Sequence, residues 1–522
     1  MHHSSEDSTS GLEIELKFEL TAANVRRLMR SSQLKNLQVG RARSKFLQAT
    51  YYDTPDHKLA RRGMSLRVRK EGRVFIQCLK AEAPNGSVTG FARYEWEWLV
   101  SGLELDLSIL RGDKDLKTHL KGINVKKLIP IYTTDIRRQS RDLHMPDGGV
   151  ILCEIDQGKV MAAGRETNVF ELELEYVSGS HDELLSVANL ITNIIPARLS
   201  NRTKAYRGHV LFEDKGSPWV TANHPTLSKN ATAEDVLRAS VLEGLNHLIA
   251  NEDCVLERNH VEGVHQMRVA VRRMRSVITT YKNLLPKGCF ENLAEQLKQT
   301  ANALGPARDW DVFLGSVLKD VVNGFDKDAG LALMVERAGQ KQVEAYQAAE
   351  QLIHSPDYAK MLTQILNWVA TSAWKKGGKT SAKLSAPATE TAKGILSKRH
   401  ARLLGAGKGL AELSTEQRHA LRIAIKKARY AAAFFAELYP TKRTKPYLKA
   451  LKVLQESLGH LNDLATAEHL MKQLTEGLEG DDLDSLERAN GMVQGWYMHA
   501  QSLREDDLLK AWKTFSKLKP FW

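Results

Sequence analysis

The hydrophobic period of this chain changes once, near residue 220, and that change limits it to two differently built parts. From Leu12 to about Val210 charged and apolar residues alternate. Glu13, Glu15 and Lys17 interleave with Ile14, Leu16 and Phe18; Arg67 and Arg69 with Leu66 and Val68; Arg93, Glu95 and Glu97 with Tyr94, Trp96 and Trp98; Glu171, Glu173 and Glu175 with Leu172, Leu174 and Tyr176. Successive strand residues point to opposite faces, so each of these strands has one charged and one apolar face. Residues 213–230, with Gly216, Pro218, Asn223 and Pro225, read as a linker. Beyond it, apolar residues recur at spacings of three and four in Leu-, Ala- and Lys-rich segments, the period of helices. The expected fold is an α+β multidomain chain, with an antiparallel β domain over 11–212 and an all-helical domain over 231–515.

A solvated strand face tolerates any polar residue, yet Ser, Thr, Gln and Asn are nearly missing from the alternating positions. Charges of both signs recur on at least five strands, so the strands are expected to curl with their charges inward. The apolar faces would then be covered by helices. Paired carboxylates two residues apart, Glu13 with Glu15 and Glu171 with Glu173, place four oxygens within reach of a hard divalent cation. Lys17, Arg67, Arg69, Lys80 and Arg93 suit a phosphate chain. A metal–phosphate ligand would satisfy both sets, and neither is stable in a lumen without the other.

The ordered series Glu13-Ile14-Glu15-Leu16-Lys17, Leu66-Arg67-Val68-Arg69, Lys80, Arg93-Tyr94-Glu95, Arg137-Arg138, Glu154-Ile155-Asp156, Glu171-Leu172-Glu173 and Lys204 with Arg207-Gly208 resembles the CYTH family, the triphosphate tunnel metalloenzymes. The resemblance implies an eight-stranded antiparallel tunnel that hydrolyses a triphosphate with Mg²⁺ or Mn²⁺. It assigns metal to Glu13, Glu15, Asp156, Glu171 and Glu173, and phosphate contacts to Lys17, Arg67, Arg69, Lys80, Arg93, Arg138 and Lys204. Glu13, Glu15 and Lys17 are the expected catalytic set. Only one residue of the Arg137-Arg138 pair can face the lumen; the family pattern selects Arg138. Thr203 stands where the family often has Ser. For Glu95, Glu97, Glu154 and Glu175 the competing reading is pairing with lumen cations that keeps the lumen neutral.

The helical half carries an internal repeat. His265, Arg268, Arg275, Leu304, Gly305 and Asp309 return 154 positions later as His419, Arg422, Arg429, Leu458, Gly459 and Asp463, while Arg272 and Arg273 return as Lys426 and Lys427. On a helix His265, Arg268, Arg272 and Arg275 share one face beside the apolar stripe Val264, Met267, Val271, Met274 and Ile278. Like charges along a helix face repel unless anions lie nearby. The doubled stripe therefore points to a polyanion. The segments His265-Gln266-Met267-Arg268 with Arg272-Arg273, and Leu304-Gly305 with Arg308-Asp309, resemble a CHAD domain. That resemblance implies two pseudo-symmetric four-helix bundles, about 231–375 and 390–515, which bind inorganic polyphosphate. The expected contacts are His265, Arg268, Arg272, Arg273, Arg275, Arg308, His419, Arg422, Lys426, Lys427 and Arg429. Asn462 in the second copy replaces Arg308. Nucleic acid is the competing polyanion; against it, the stripe has no adjacent base-stacking aromatics.

The chain of 522 residues has 42% hydrophobic content and a net charge of +13, which excludes a disordered protein. No apolar run approaches the ~18–20 residues needed to span a bilayer, and the four cysteines form no CxxC pair. A cytoplasmic protein without a disulfide framework is expected. The joint expectation is a metal-dependent inorganic triphosphatase whose helical domain binds polyphosphate. Two other readings remain open: a non-catalytic polyphosphate-binding protein, and an enzyme acting on ATP, as a cyclase, or on a nucleoside or thiamine triphosphate.

Overall fold

The computed structural model describes residues 11–82, 92–113, 116–225, 227–375, 381–502 and 505–522; within these, the side chains of 11–13, 92, 381, 459–465 and 500–502 are not described. Contacts divide the chain into two compact units. The first comprises Met1–Val220, Ile249–Asn259 and Ile353–Ala373, and the second comprises Thr221–Leu248, His260–Leu352 and Trp374–Trp522. Two segments of the helical half therefore belong with the strands, a division that differs from the expected contiguous halves.

In the first unit nine strands form one antiparallel sheet: β1 (Gly11–Glu19), β2 (Gln38–Asp53), β3 (Met64–Glu71), β4 (Val74–Glu82), β5 (Ala92–Val100), β6 (Ile129–His144), β7 (Val150–Ala162), β8 (Arg165–Ser178) and β9 (Arg198–Ser200). The order is β5-β4-β3-β2-β6-β7-β8-β1-β9, and a further β5–β1 pairing closes eight strands into a ring. β9 is a short ninth strand that pairs with β1 at Lys17–Glu19, beyond the Gly11–Ile14 stretch that pairs with β5. Closure removes the open edges that would otherwise invite pairing with other chains.

The alternation sorts the faces as expected. Leu16, Phe18, Leu66, Leu79, Leu172 and Leu174 point outward and are fully buried. The outer faces of β3, β4 and β5 pack Leu66, Leu79 and Trp96 against Leu110 and Leu116 of the short helices Leu107–Gly112 and Leu116–His119. Each large side chain so buried contributes about 1.5–3 kcal/mol.

One end of the ring is filled. Leu47, Ala49, Tyr51, Tyr132, Ile136, Val160 and Val169 form an apolar plug with Ala205. Ala205 belongs to the helix Lys204–Glu213, which closes that end and is capped by Thr203, whose hydroxyl accepts from the Tyr206 N–H at 3.1 Å. Thr203, standing where the family often has Ser, is thus the cap of this helix. A Cβ at Gly208 would lie 2.2 Å from the Tyr132 ring, so only glycine lets the closing helix sit this deep. Gly208→Ala is expected to cost about 1–3 kcal/mol, by overpacking. Urea unfolding of the variant beside the parent checks this effect.

The segments 249–259 and 353–373 join this unit through a buried charge network. Arg198 of β9 pairs with Glu252 at 2.8 Å, Asp253 at 2.9 Å and Glu19, and the Tyr358 hydroxyl donates to Glu252 at 2.8 Å. Burial pushes the Glu252 carboxyl up to about 7, with Arg198 opposing the rise. A carboxyl whose folded pKa exceeds its unfolded value favours the fold fully below the unfolded value. That contribution is lost as pH rises through the folded value. Stability is therefore expected to fall between pH ~4.5 and ~7, and Glu252→Gln should flatten this slope in unfolding experiments across that range.

In the second unit the helices end in register with the repeat. Glu262–Tyr281 corresponds to Thr415–Phe435, Glu291–Ala303 to Thr441–Ser457, and the helices beginning at Gly305 and Gly459 to each other. The two long basic helices meet at equivalent residues: Tyr281 and its image Phe435 have ring centroids 6.2 Å apart. Contact between equivalent positions is the mark of a two-fold arrangement. All four cysteines are free, and among the described residues no helix is long and apolar enough to cross a membrane.

Candidate functional site

The ring encloses a cavity of about 320 Å³ lined by charges from every strand of the ring and by the closing helix. Lys17, Lys45, Arg67, Arg69, Lys80, Arg93, Arg138 and Lys204 face Glu15, Glu71, Glu95, Glu97, Glu154, Glu173 and Glu175 across it. Among the described residues, eight cations against seven carboxylates line the lumen, a balance near neutrality, so an added polyanion needs an added cation to keep the carboxylates paired. The expected residues Glu15, Lys17, Arg67, Arg69, Lys80, Arg93, Arg138, Glu173 and Lys204 all reach this cavity. The side chain of Glu13 lies outside the described set.

At the closed end the charges interlock. Lys17 reaches Glu173 at 2.6 Å and Glu15 at 3.0 Å. Arg138 forks onto Asp156 with contacts of 2.7 and 2.6 Å, reaches Glu173 at 2.5 Å and also holds Glu154. Arg137, its neighbour, is exposed beside Ser44. The Lys204 ammonium sits among Glu171 at 2.5 Å, Asp156 at 2.8 Å and Glu173 at 3.0 Å. Burial by itself would raise the Glu173 carboxyl, but Lys17, Lys204 and Arg138 hold it well below the usual carboxylate range. The same carboxylates keep Lys204 and Arg138 charged although burial opposes it. Glu154 moves the other way: burial, with Glu173 and Asp156 nearby, raises it despite Arg138.

Lys204 sharpens the expected metal set. Asp156 and Glu171, 0% and 1% exposed, do not line the cavity; they lie behind the Lys204 ammonium, which occupies the place a cation would take. Asp156, Glu171 and Glu173 nevertheless bring one oxygen each within 4.8 Å of one another and could hold a metal ion. Their all-oxygen donor set fits a hard divalent cation. A second group, Cys78, Glu95 and Glu97, suits such an ion less, because burial pushes the Cys78 thiol up to about 12.

The opposite wall, from β3 to β5, is looser. Lys80 pairs with Glu95 at 3.2 Å, Arg69 with Glu97 at 3.5 Å, and Arg67 donates to the Tyr51 hydroxyl at 3.2 Å. Glu95, Glu97 and Glu154 therefore do pair with lumen cations. The Nε atoms of Arg67 and Arg69 have no hydrogen-bond partner. Sequence reasoning missed Glu19 and Tyr51, and quoted Arg207 without giving it a role. Arg207, on the closing helix, bridges Glu171 at 3.1 Å and Glu19. Glu19 simply continues the alternation of Glu13, Glu15 and Lys17, a signal that was there to be read.

In the second unit the two basic helices share an aromatic hub: the guanidiniums of Arg272 and Arg429 lie 5.6 and 5.3 Å from the Tyr430 ring centroid. The Nε atoms of both are buried without a hydrogen-bond partner. Arg268 donates to the Ala301 carbonyl at 3.0 Å, and Arg308 lies 4.0 Å from Glu262. Burial, with Arg308 beside it, pulls the His265 imidazole down to about 4, so it is neutral at pH 7. His419, its image, is exposed, as is Lys427. Arg273 departs from the expectation: it turns from the stripe to pair with Glu243 at 3.0 Å and donates to the Asn223 carbonyl at 3.1 Å. The Asp463 side chain lies outside the described set.

The CYTH domain family model matches residues 11–208, and the CHAD domain family model matches residues 239–472. An inorganic triphosphatase of Haemophilus influenzae is 30% identical over 176 residues, a match that spans 32% of this chain and 46% of that relative's own length. An uncharacterized protein of Mycobacterium tuberculosis is 25% identical over 506 residues, 90% of each chain. The crystal structure of the CHAD domain from the plant Ricinus communis superposes with a TM-score of 0.51 at 29% identity, covering 58% of this chain and 98% of that one. The chain is thus a CYTH domain protein that carries a CHAD domain after it.

Proposed function

We propose that the lumen hydrolyses inorganic triphosphate to phosphate and pyrophosphate with Mg²⁺ or Mn²⁺, and that the helical domain binds inorganic polyphosphate. The observation that carries the first part is the division of the lumen into an acidic end, where Lys204 holds the place of a cation, and a wall of lysines and arginines in which the Nε atoms of Arg67 and Arg69 are unpartnered. Glu13, Glu15, Asp156, Glu171 and Glu173 would hold the ion, which when bound neutralises phosphate charge and polarises the bridging oxygen. Arg67, Arg69, Lys80 and Arg93 grip the chain of phosphates from the opposite wall. Arg138 and Lys17 fix Glu173 and Glu15, so the donors are preorganised before substrate enters. Lys204, whose ammonium lies among Glu171, Asp156 and Glu173 and also lines the cavity, would lend its positive charge to the phosphates at that end. No covalent protein nucleophile is required.

The similarity to the inorganic triphosphatase of Haemophilus influenzae supports the reaction class. The volume of about 320 Å³, lined mostly by charged side chains, favours a bare triphosphate over one with an apolar base or ring. For the helical domain, support comes from two images of one cationic stripe meeting at Tyr430. Glu13→Ala combined with Glu15→Ala should lower triphosphate hydrolysis at least ~100-fold; a variant as fast as the parent removes the catalytic assignment.

A further inference from the structure

Outside the lumen, the closing helix carries a group of side chains that the hydrolytic reading does not use. His209 projects from that helix toward His57, in the loop after β2, and their Nδ1 atoms lie 3.1 Å apart. The Nε2 atom of His209 is 3.6 Å from Oδ2 of Asp53, the last residue of β2. One donor atom from each of the three lies within 4.8 Å of the others. Asp53 is 1% exposed, and both rings are half-buried against aromatics: His57 beside Phe212, and His209 edge-on to Tyr132.

We propose that Asp53, His57 and His209 form a second metal site, for a borderline transition-metal ion of the Zn²⁺ type, which pins the closing helix to the β2–β3 loop. Two imidazole nitrogens on one tetrahedral ion, with bonds of ~2.0–2.1 Å, are ~3.4 Å apart. The observed pair reaches that separation by moving a few tenths of an ångström. Two nitrogens and one oxygen select Zn²⁺, Co²⁺ or Ni²⁺ over Mg²⁺, which prefers all-oxygen shells. The oxygens of Asp53 already accept from the N–H groups of Thr54, Leu59 and Ala60. Such bonds fix a carboxylate in place, which is what a ligand or a carboxylate orienting a ligating histidine needs. The fourth position would be taken by water.

The backbone supports the same geometry. His57 adopts φ +53°, a left-handed conformation disfavoured for a residue with a Cβ, and it aims the ring at the closing helix. Neither histidine reaches the cavity that holds Lys204 and Glu173, so this site is separate from the lumen. The consequence for the lumen runs through the closing helix, whose first turn delivers Lys204 and whose second delivers Arg207.

The test titrates chelator-stripped full-length protein with Co²⁺ in excess Mg²⁺, reading visible absorption, and follows thermal unfolding with and without Zn²⁺. One equivalent bound at micromolar concentration, with the intense bands of a tetrahedral site and a raised unfolding midpoint, is the expected result. His57→Asn, which tolerates the left-handed backbone, and His209→Gln should each remove the bands, while Glu15→Gln keeps them. Circular dichroism confirms that both histidine variants are folded; if one is not, the other carries the test. Absence of Co²⁺ and Zn²⁺ binding, or binding unchanged in a folded His57→Asn or His209→Gln protein, overturns the site and leaves the pair as a hydrogen bond between imidazoles. Triphosphate hydrolysis by Mg²⁺-loaded Glu15→Gln protein is read separately, so failure of one proposal does not imply failure of the other.

Discussion

Glu173→Gln is expected to lower the proposed triphosphate turnover by about 10²–10³-fold and to destabilise the first unit by roughly 3–5 kcal/mol. Among the described residues, Glu173 is the one carboxylate that meets Lys17, Arg138 and Lys204 together, at 2.6, 2.5 and 3.0 Å. Gln keeps the shape but removes the charge, so three buried cations lose a shared partner and the proposed ion loses an oxygen donor. The pH dependence has a definite sign. A carboxyl whose folded pKa is depressed stabilises the fold above its unfolded value and loses that contribution as pH falls through the folded one. Glu173 is held well below 4.5, so the parent is expected to lose stability progressively below pH ~4.5, and Glu173→Gln to lose less of it there. Urea unfolding at neutral and acid pH, run beside steady-state hydrolysis, separates lost stability from lost catalysis.

Charge reversal at the repeated stripe, Arg272→Glu with Lys426→Glu, should weaken polyphosphate binding by about 100-fold or more at moderate salt, as loss of close charge contacts does. Arg272 lies over Tyr430, beside Arg429, where the two basic helices meet. Reversal there changes the sign of the potential where the two stripes meet. Triphosphate hydrolysis should stay within about two-fold, because neither residue lines the lumen. Fluorescence anisotropy with labelled polyphosphate reads the affinity; binding that survives the double reversal makes the stripe structural.

The lumen was legible because a closed ring is stricter than a solvated sheet. Alternating charges with so few Ser, Thr, Gln or Asn make sense only on an inward face, and that inference placed Arg67, Arg69, Lys80 and Arg93 correctly in the cavity. Lys204 was harder. Family resemblance named it, but nothing periodic announces that it arrives on the first turn of a closing helix, with Thr203 as cap and Gly208 admitting Tyr132. Hence the burial of Asp156 and Glu171 behind its ammonium was not readable. Nor was the turning of Arg273 to Glu243, because its image Lys427 is exposed and Glu243 lies on another helix. The segments 249–259 and 353–373 read as ordinary helix; their place with the strands rests on Arg198 meeting Glu252 and Asp253, a contact between distant positions with no local pattern.

The most direct measurement of the central claim offers the protein inorganic triphosphate, ATP, thiamine triphosphate and long-chain polyphosphate in turn, with Mg²⁺ and with Mn²⁺, and resolves phosphate, pyrophosphate and cyclic AMP. The account predicts phosphate and pyrophosphate in equal amounts from inorganic triphosphate, at a higher kcat/KM than for either organic triphosphate. Cyclic AMP from ATP without hydrolysis of triphosphate would contradict it.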